Sequence, residues 1–491
     1  MIKDILKIHD KYSVEIKQSY FSMFKKEKSN YRVLTYLFIP NALNINEQTY
    51  KKEQFYKDIR INVRYNTPEF TLDQLLVDKS SPLRRIEEIL KKISKKPSKK
   101  TLSELETQNK IFATVFSSAL RNNNRALRKI FKKTPDRELL QTHLNKITKL
   151  VSLFRGFQEQ ISKLNIKDSK SQYFSFADEF ISNTIEHNTV VLYNYFEEKL
   201  KLDKDLLLIL IKFIKNEQEY IQTEYYKGQT VDNLDQEYII HKRSQLKKYI
   251  DSILFLQKET RKDGALFEQM MFSIAAGLAM VFSTGIAFFY QQKYGNFTSV
   301  FFVALVVSYM MKDRIKNIIG NLFISKAHSF YYDYKIRIFN SNKNRVGEIH
   351  ENFTFVPYKK LGPKIKKIRL LGRTINVDDD LFGEQIIQYK KKITIYPKKL
   401  GSDRSTSRLN SIADITRINF SRFILNMDNS QKAYYYVKDN KIVKSKEDRV
   451  YHLNIIQKFY TEDGVDFKRY RVVINRNGIK RIEKVKVEFI S

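Results

Sequence analysis

Five polar residues between Asp178 and His187 form the densest group of side chains that could carry acid–base or metal chemistry. Glu179, Asn183 and Glu186 share one face of a predicted helix, where their oxygen atoms could hold a cation. No second carboxylate motif completes such a site. Alternating charge on a helix is also typical of a solvated surface, and we expect that role here.

Common catalytic and phosphate-binding motifs are missing from the sequence. No glycine is directly followed by lysine, which excludes a Walker-type loop, and neither Gly-x-Ser-x-Gly nor His-Glu-x-x-His occurs. The chain has no cysteine, which excludes thiolate ligands and nucleophiles. Asp378 to Asp380 could bind a hard cation, but their lysine-rich surroundings favour a charged loop. We therefore assign no catalytic, metal or cofactor-binding residue, and no cofactor.

One lysine-rich stretch could contact phosphate groups. Its members are Lys359, Lys360, Lys364, Lys366, Lys367, Arg369 and Arg373. Such a patch suits anionic lipid head groups or nucleic acid. Nucleic acid is less favoured, because only Tyr358 supplies an adjacent aromatic ring for stacking. A solvated loop is the alternative interpretation.

Two uncharged apolar runs occupy the middle of a chain whose net charge is +35. The first, residues 269–290, would form a helix about 33 Å long, enough to cross a hydrocarbon core of about 30 Å. The second, residues 297–311, would reach only about 22 Å. We predict a two-helix transmembrane hairpin over residues 265–311. A buried helical hairpin in a soluble protein is the alternative.

Small residues recur along the first apolar run. They are Ser273, Ala275, Gly277, Ala279, Ser283, Gly285 and Ala287. Small side chains at this spacing let two helices approach closely in lipid. We expect them to form a helix-packing surface, either between copies in a homo-oligomer or within one chain.

Charged residues beside the apolar runs predict the orientation. Lys258, Arg261 and Lys262 precede the first run, Lys312, Arg314 and Lys316 follow the second, and the connecting loop has only Lys293. Basic residues near membrane spans stay in the cytoplasm. The first twenty residues also lack the apolar core of a signal peptide. Both termini are therefore predicted to be cytoplasmic, at a bacterial inner membrane.

The remaining sequence divides into arms of different periodicity. The expected fold is membrane α+β, with the transmembrane hairpin between a mainly helical N-terminal cytoplasmic arm and an antiparallel β-rich C-terminal cytoplasmic domain. Its predicted parts are a small α+β segment (1–80), a helical domain (81–262), the hairpin (265–311), an amphipathic juxtamembrane helix (312–332) and the β-rich domain (333–491). Ser81 and Pro82 predict a helix start, and Asn477–Gly478 predicts a hairpin turn.

Two segments carry a resemblance to other proteins. "YRVLTYLFIPNALNINEQTYKKEQFYKDIRINVRYNTPEFTL" (31–72) and "SYMMKDRIKN" (308–317) resemble segments of an uncharacterised bacterial two-span inner-membrane protein family of unknown function. The resemblance implies a membrane location and no particular activity.

Together these observations favour an integral membrane protein that anchors basic cytoplasmic domains and acts by binding or assembly, as an adaptor, sensor or structural component, and not as an enzyme. Expected partners are anionic membrane lipids, an unidentified cytoplasmic protein and further copies of the chain. One alternative is an oligomeric gated pore built from the hairpin. Another is a membrane-tethered enzyme or nucleic-acid-binding protein.

Overall fold

The structure is a computed structural model that describes residues 2–21, 27–163, 168–226, 236–296, 298–327, 331–372, 383–400, 411–461 and 464–487. The chain divides into two compact units. The first, here the sheet unit, comprises Met1–Val63, Leu256–Lys399 and Ser411–Ser491. The second, here the helical unit, comprises Arg64–Phe255 and Leu400–Asn410.

Strands dominate the sheet unit, and their bounds are as follows. They are β1 Ile2–Ile8, β2 Ser13–Phe21, β3 Ser29–Pro40, β4 Ile59–Tyr65, β5 Gln257–Lys262, β6 Tyr334–Phe339, β7 Arg345–Phe355, β8 Glu384–Ile395, β9 Ser411–Asn419, β10 Gln431–Lys438, β11 Lys441–Asp448, β12 Tyr451–Thr461, β13 Gly464–Asn475 and β14 Gly478–Val485.

Helices of both units, numbered in chain order, have the following bounds. They are α1 Lys52–Asp58, α2 Leu72–Val77, α3 Pro82–Lys95, α4 Lys99–Phe131, α5 Arg137–Lys163, α6 Asp168–Tyr195, α7 Lys204–Tyr225, α8 Gln236–Asp251, α9 Ala265–Tyr294, α10 Ser299–Ala327, α11 Pro363–Leu370, α12 Pro397–Leu400 and α13 Ser421–Ile424.

An eight-stranded antiparallel sheet forms the frame of the sheet unit, in the order β14-β13-β12-β3-β8-β7-β6-β5. A four-stranded sheet has the order β1-β2-β9-β4, and β10 and β11 pair alone. The N-terminal strand β3 lies between β12 and β8, with Leu37 opposite both Ile455 and Ile387. The N-terminal and C-terminal strands therefore share one sheet, whereas the sequence periodicity placed them in separate domains.

Turn chemistry agrees with the strand predictions in the C-terminal part. Gly478 has a φ of +125°, in the left-handed region that favours glycine, and it pairs with Asn475 to close the hairpin from β13 to β14. Asp439 and Asn440, both with positive φ, join β10 to β11 as in a type I′ turn. The hairpin predicted at Asn477–Gly478 is confirmed.

Amphipathic helices build the helical unit. Ser81 accepts a hydrogen bond from the Leu83 amide and Pro82 occupies the first turn of α3, as the sequence predicted. The buried residues of α3 are Pro82, Leu83, Ile86, Ile89, Leu90 and Ile93, which follow the helical period. Stacked phenylalanine rings continue this core, with 4.9 Å between the ring centroids of Phe112 and Phe154.

The predicted two-span membrane fold is wrong. Among the described residues, one helical segment, Gln269–Tyr294, is long and apolar enough to cross a membrane. Helix α10 begins at Ser299, so only about 20 Å of helix precedes its first charge at Lys312. Asp313, Arg314 and Lys316 follow within the same helix, and it continues through residues predicted as a separate amphipathic helix. The chain is an α+β protein with large antiparallel sheets, not a two-span membrane protein.

Candidate functional site

A hairpin of α9 and α10 extends from the edge of the eight-stranded sheet. Edge strand β5 leads into α9, and α10 precedes β6, which pairs with β5 from Gln257 opposite Phe339 to Lys262 opposite Tyr334. At the base of the hairpin, the Asp263 amide donates to the Asp333 carbonyl over 3.1 Å. The sheet thus holds both ends of the hairpin together.

Small residues line the contact between the two helices. Ala275 and Ala279 are fully buried, and the Ser283 hydroxyl donates to the Ser308 hydroxyl over 3.3 Å. A Cβ atom at Gly320 would lie 2.8 Å from the Phe272 ring, so only glycine fits there without a shift. The pairs 272–320 and 283–308 show that α9 and α10 run antiparallel.

The other residues of the predicted packing surface lie elsewhere on α9. Ser273, Gly277 and Gly285 are exposed, and a Cβ atom at either glycine would meet nothing within 4 Å. Ala287 is half-buried. The structure therefore brings Ala275, Ala279 and Ser283 against α10 of the same chain. A role for the exposed small residues in self-association stays a prediction.

The outward surface of the hairpin is apolar. Only 17% of the most apolar window of α9 is buried. Its exposed large side chains are Met270, Phe272, Ile274, Leu278, Met280, Val281, Phe282, Phe288 and Phe289, and those of α10 include Val300, Phe302, Val303, Leu305, Val306, Val307 and Met310. A soluble core helix would bury such residues, because each contributes about 1.5–3 kcal/mol when removed from water.

Hydroxyl groups on this apolar surface find partners within the protein. The Ser273 hydroxyl donates to the Gln269 carbonyl over 2.9 Å, and the Thr284 hydroxyl donates to the Met280 carbonyl over 2.7 Å. At the contact between the two helices, the buried Ser308 hydroxyl donates to the Leu305 carbonyl over 3.0 Å. These groups do not depend on water, which suits an apolar surrounding.

Tyrosine and lysine side chains mark both limits of the apolar surface. Near the turn between the helices, the Tyr290 and Tyr294 rings stack at 5.7 Å, and the Lys293 ammonium lies 5.4 Å from the Tyr294 ring centroid. At the other limit, the Lys312 ammonium lies 4.4 Å from the Tyr309 ring centroid. Amphipathic rings and cationic side chains are favoured where hydrocarbon meets water.

The predicted basic stretch lies on the sheet unit. Lys359 and Lys360 form a short 3₁₀ turn, and Lys364 and Lys367 project from α11 into solvent. Lys366 is half-buried. Behind them, α11 packs through its apolar residues on Phe38, Ile386 and Ile456. These lysines are available to a ligand.

Two members of the basic stretch differ from these lysines. Arg369 is 8% exposed and forms a bidentate ion pair with Glu384, with N–O distances of 2.9 and 2.6 Å. The Arg369 charge is therefore compensated by Glu384 within the protein, in the bidentate geometry typical of a guanidinium beside a carboxylate. Arg373 lies outside the described residues, as do Asp378 to Asp380.

Two of the five polar residues on α6, Asp178 and Glu179, do not lie on the solvated surface that the sequence suggested, whereas His187 is exposed. Asp178 is fully buried and accepts hydrogen bonds from Arg155, Tyr220 and Tyr225, at 3.1, 2.7 and 2.6 Å. Glu179 is 2% exposed and pairs with Lys242 at 2.8 Å. Both carboxylates therefore already have cationic or hydroxyl partners within the protein.

Metal chemistry has no support at this position. In the part of the chain that the structure describes, no group of three or more His, Asp or Glu side chains is arranged to hold a metal ion. The Arg155 guanidinium instead lies 3.5 Å from the Tyr220 ring centroid and also binds Glu217 at 2.6 Å. The arrangement stabilises the packing of α5, α6 and α7.

A second buried polar group joins the eight-stranded sheet to the four-stranded sheet. The Lys391 ammonium on β8 donates to Asp414 and Thr416 on β9. Nearby, the Tyr389 hydroxyl donates to the Glu351 carboxyl. Burial raises the pKa of Glu351 to about 7, and the positive charge of Lys391 offsets part of that effect. The sequence offered no signal for this group, because its members are far apart along the chain.

Comparison of the chain with protein-family models, with curated proteins and with solved structures finds no match. The geometry of the chain's own residues is therefore the basis for a functional assignment.

Proposed function

We propose that the protein is attached to a membrane through α9 and acts there by binding or assembly. The observation that carries this proposal is the apolar surface of the hairpin, of which the Gln269–Tyr294 segment is long enough to enter a bilayer core. Burial of that surface in lipid removes the cost of exposing it to water. The hairpin enters the bilayer from one side through α9, and the apolar start of α10, which packs antiparallel to α9, enters beside it; no second span is assigned.

The flanking charges support an inner-membrane location with both termini in the cytoplasm. Lys258, Arg261 and Lys262 precede α9, and Lys312 and Arg314 lie on α10. Pairing of β5 with β6 keeps both ends of the hairpin on one side. Basic flanks favour the cytoplasmic side, where anionic lipids also attract the exposed lysines of the stretch at 359–367.

Carbonate extraction of membranes tests this attachment. The full chain, expressed in a bacterial host, should remain in the membrane pellet after a carbonate wash. The double variant Val281→Asp with Phe288→Asp places two charges on the outward face of α9, where the side chains are 71% and 69% exposed. Because a buried charge in lipid costs about 2.5–3.5 kcal/mol at the centre of a span, this variant should move to the supernatant.

A matched double variant, Leu208→Asp with Ile240→Asp, controls for added charge at exposed apolar positions of the helical unit. It should stay in the pellet. Recovery of the unaltered chain in the carbonate supernatant would overturn the proposal, and so would release of the control variant together with the α9 variant.

A further inference from the structure

A cleft of about 560 Å³ in the helical unit lies between α4, α6 and α8. Helix α4 contributes Ser117, Arg121, Asn124, Arg125 and Arg128; α6 contributes Phe180, Asn183, Thr184, His187, Asn188 and Val191; and α8 contributes Arg243 and Lys247. This volume is within the range of small-molecule sites. Its lining contains four arginines and one lysine and no carboxylate.

The positive charge of the cleft is only partly compensated by its surroundings. Arg243 pairs with Glu186 at 2.7 Å. Asp251 lies close enough to Arg121 and Lys247 for their charges to lower its pKa, although burial raises it overall. Among the described residues, neither Arg125 nor Arg128 has a carboxylate within ion-pair distance.

The guanidinium groups on α4 also repel each other. Burial, followed by the charge of Arg125, lowers the pKa of Arg121. The Arg128 guanidinium donates to the Val191 carbonyl over 2.8 Å and lies 5.0 Å from the Tyr195 ring centroid. These contacts orient Arg128 without neutralising it. An anion in the cleft would relieve this repulsion.

Asn183 adds an unsatisfied amide to the same cleft. Its Nδ2 and Oδ1 atoms are both shielded from solvent and have no hydrogen-bond partner within the described structure, and the same is true of the Asn124 Oδ1 atom. A buried amide without partners costs about 1–3 kcal/mol for each unsatisfied group. Because Asn183 lines the cleft, a rotation of its side chain towards the cleft would let a ligand with both a donor and an acceptor supply the missing bonds.

We infer that this cleft binds a small molecule that carries two or more adjacent phosphate groups. Guanidinium groups pair with phosphate oxygens through two parallel hydrogen bonds, which suits the arginines of α4. The asparagine amides suit the polar part of the same ligand. A nucleoside diphosphate has this chemistry, and the cardiolipin head group, in which one glycerol joins two phosphodiesters, presents a similar pair of phosphates. This inference is independent of membrane attachment, because it uses only the helical unit.

Calorimetric titration of the full chain with ADP and with pyrophosphate tests the site. The double variant Arg125→Gln with Arg128→Gln should weaken binding at least about tenfold, because hydrogen bonds to charged groups contribute about 1.5–3 kcal/mol each. The matched control is Lys129→Gln with Lys132→Gln. It removes the same charge from exposed positions beside the cleft lining and should change affinity less than about twofold.

Asn183→Leu separates the amide contribution from charge. It should weaken ADP binding more than pyrophosphate binding, because pyrophosphate has no base or sugar to meet the amide. Circular dichroism of each variant should match the unaltered chain, since none of the substitutions removes an apolar core residue. Equal affinity of the arginine variant and the lysine variant for ADP, for pyrophosphate and for cardiolipin vesicles would overturn the inference.

Vesicles distinguish a soluble ligand from a lipid head group. If ADP binds and cardiolipin vesicles do not compete, the ligand is soluble; if the arginine variant loses binding only to cardiolipin vesicles, it is a head group. Both outcomes support a site for a pair of phosphate groups. Absence of arginine-dependent binding to ADP, pyrophosphate and cardiolipin vesicles would overturn it. Displacement of ADP by a single-stranded oligonucleotide at far lower concentration would assign the cleft to nucleic acid instead.

Discussion

Helix α6 of the helical unit and helix α9 of the sheet unit bury opposite kinds of side chain. Helix α6 buries Asp178 and Glu179 and surrounds them with cations and hydroxyls. Helix α9, of similar length, buries alanine and serine and exposes its large apolar side chains. The strands of the sheet unit follow a third arrangement, in which Glu351 is buried beside a tyrosine hydroxyl. The length of a helix therefore does not indicate which of its side chains are buried. That depends on the groups that each side chain contacts.

Removing the carboxylate of Asp178 should have the largest effect. Asp178→Asn leaves the half-buried Arg155 with Glu217 as its remaining carboxylate and removes the charged acceptor of two tyrosine hydroxyls. The expected loss is therefore at the lower end of the about 3–5 kcal/mol for breaking a buried ion pair. Urea unfolding followed by circular dichroism should show this loss in the transition of the helical unit. Glu224→Gln, at an exposed position of α7, should leave the midpoint unchanged. A similar midpoint for both variants would show that Asp178 is not electrostatically required.

The buried Glu351 should make the stability of the sheet unit fall as pH rises. Its folded pKa is about 7, above the ordinary value of 4.5. Between these values the folded state binds more protons than the unfolded state, so the stability contribution is complete below pH 4.5 and is lost as pH rises through 7. Glu351→Gln keeps an acceptor for Tyr389 without the charge. It should be more stable than the unaltered chain by about 3 kcal/mol at pH 8, as expected from the size of the shift.

This difference between Glu351→Gln and the unaltered chain should shrink as pH approaches 4.5. Thermal unfolding at several pH values measures it, and subtraction of the two profiles removes the contribution of other titrating groups. Glu47→Gln, at an exposed position of the same unit, should show no such pH-dependent difference. A constant difference between pH 5 and pH 8 would contradict the raised pKa of Glu351.

The smallest expected effect concerns the contact between α9 and α10. Gly320→Ala inserts a methyl group against the Phe272 ring, and overpacking of this kind costs about 1–3 kcal/mol. The chain has no cysteine, so a Ser283→Cys, Ser308→Cys pair reports the contact through disulfide formation alone. Crosslinking should be slower with Gly320→Ala. Gly277→Ala is the control, because a Cβ atom there meets nothing within 4 Å; equal slowing by both would mean that the packing at Gly320 is not specific.

Several local features could be predicted from the sequence. The start of α3 at Ser81, the turn at Gly478 and the C-terminal strands depend on neighbouring residues, so short-range patterns indicate them. The length and apolar character of α9 also follow from composition alone. The sequence did not predict β1, β2 or β5. Strand β5 contains no apolar residue, β1 has apolar residues at helical spacing, and β2 alternates only over residues 14–17.

Short-range patterns in the sequence therefore predict helix starts, turns, strand periodicity and one long apolar helix. Which distant residues come into contact depends on how the chain folds. Pairing of β3 with β12 joins Leu37 to Ile455, Asp178 accepts hydrogen bonds from two tyrosines of α7, and the cleft combines α4, α6 and α8. Whether a carboxylate or an arginine is solvated, paired or left without compensation depends on such long-range contacts, because electrostatic free energy is set by surroundings and not by the residue's sequence neighbours.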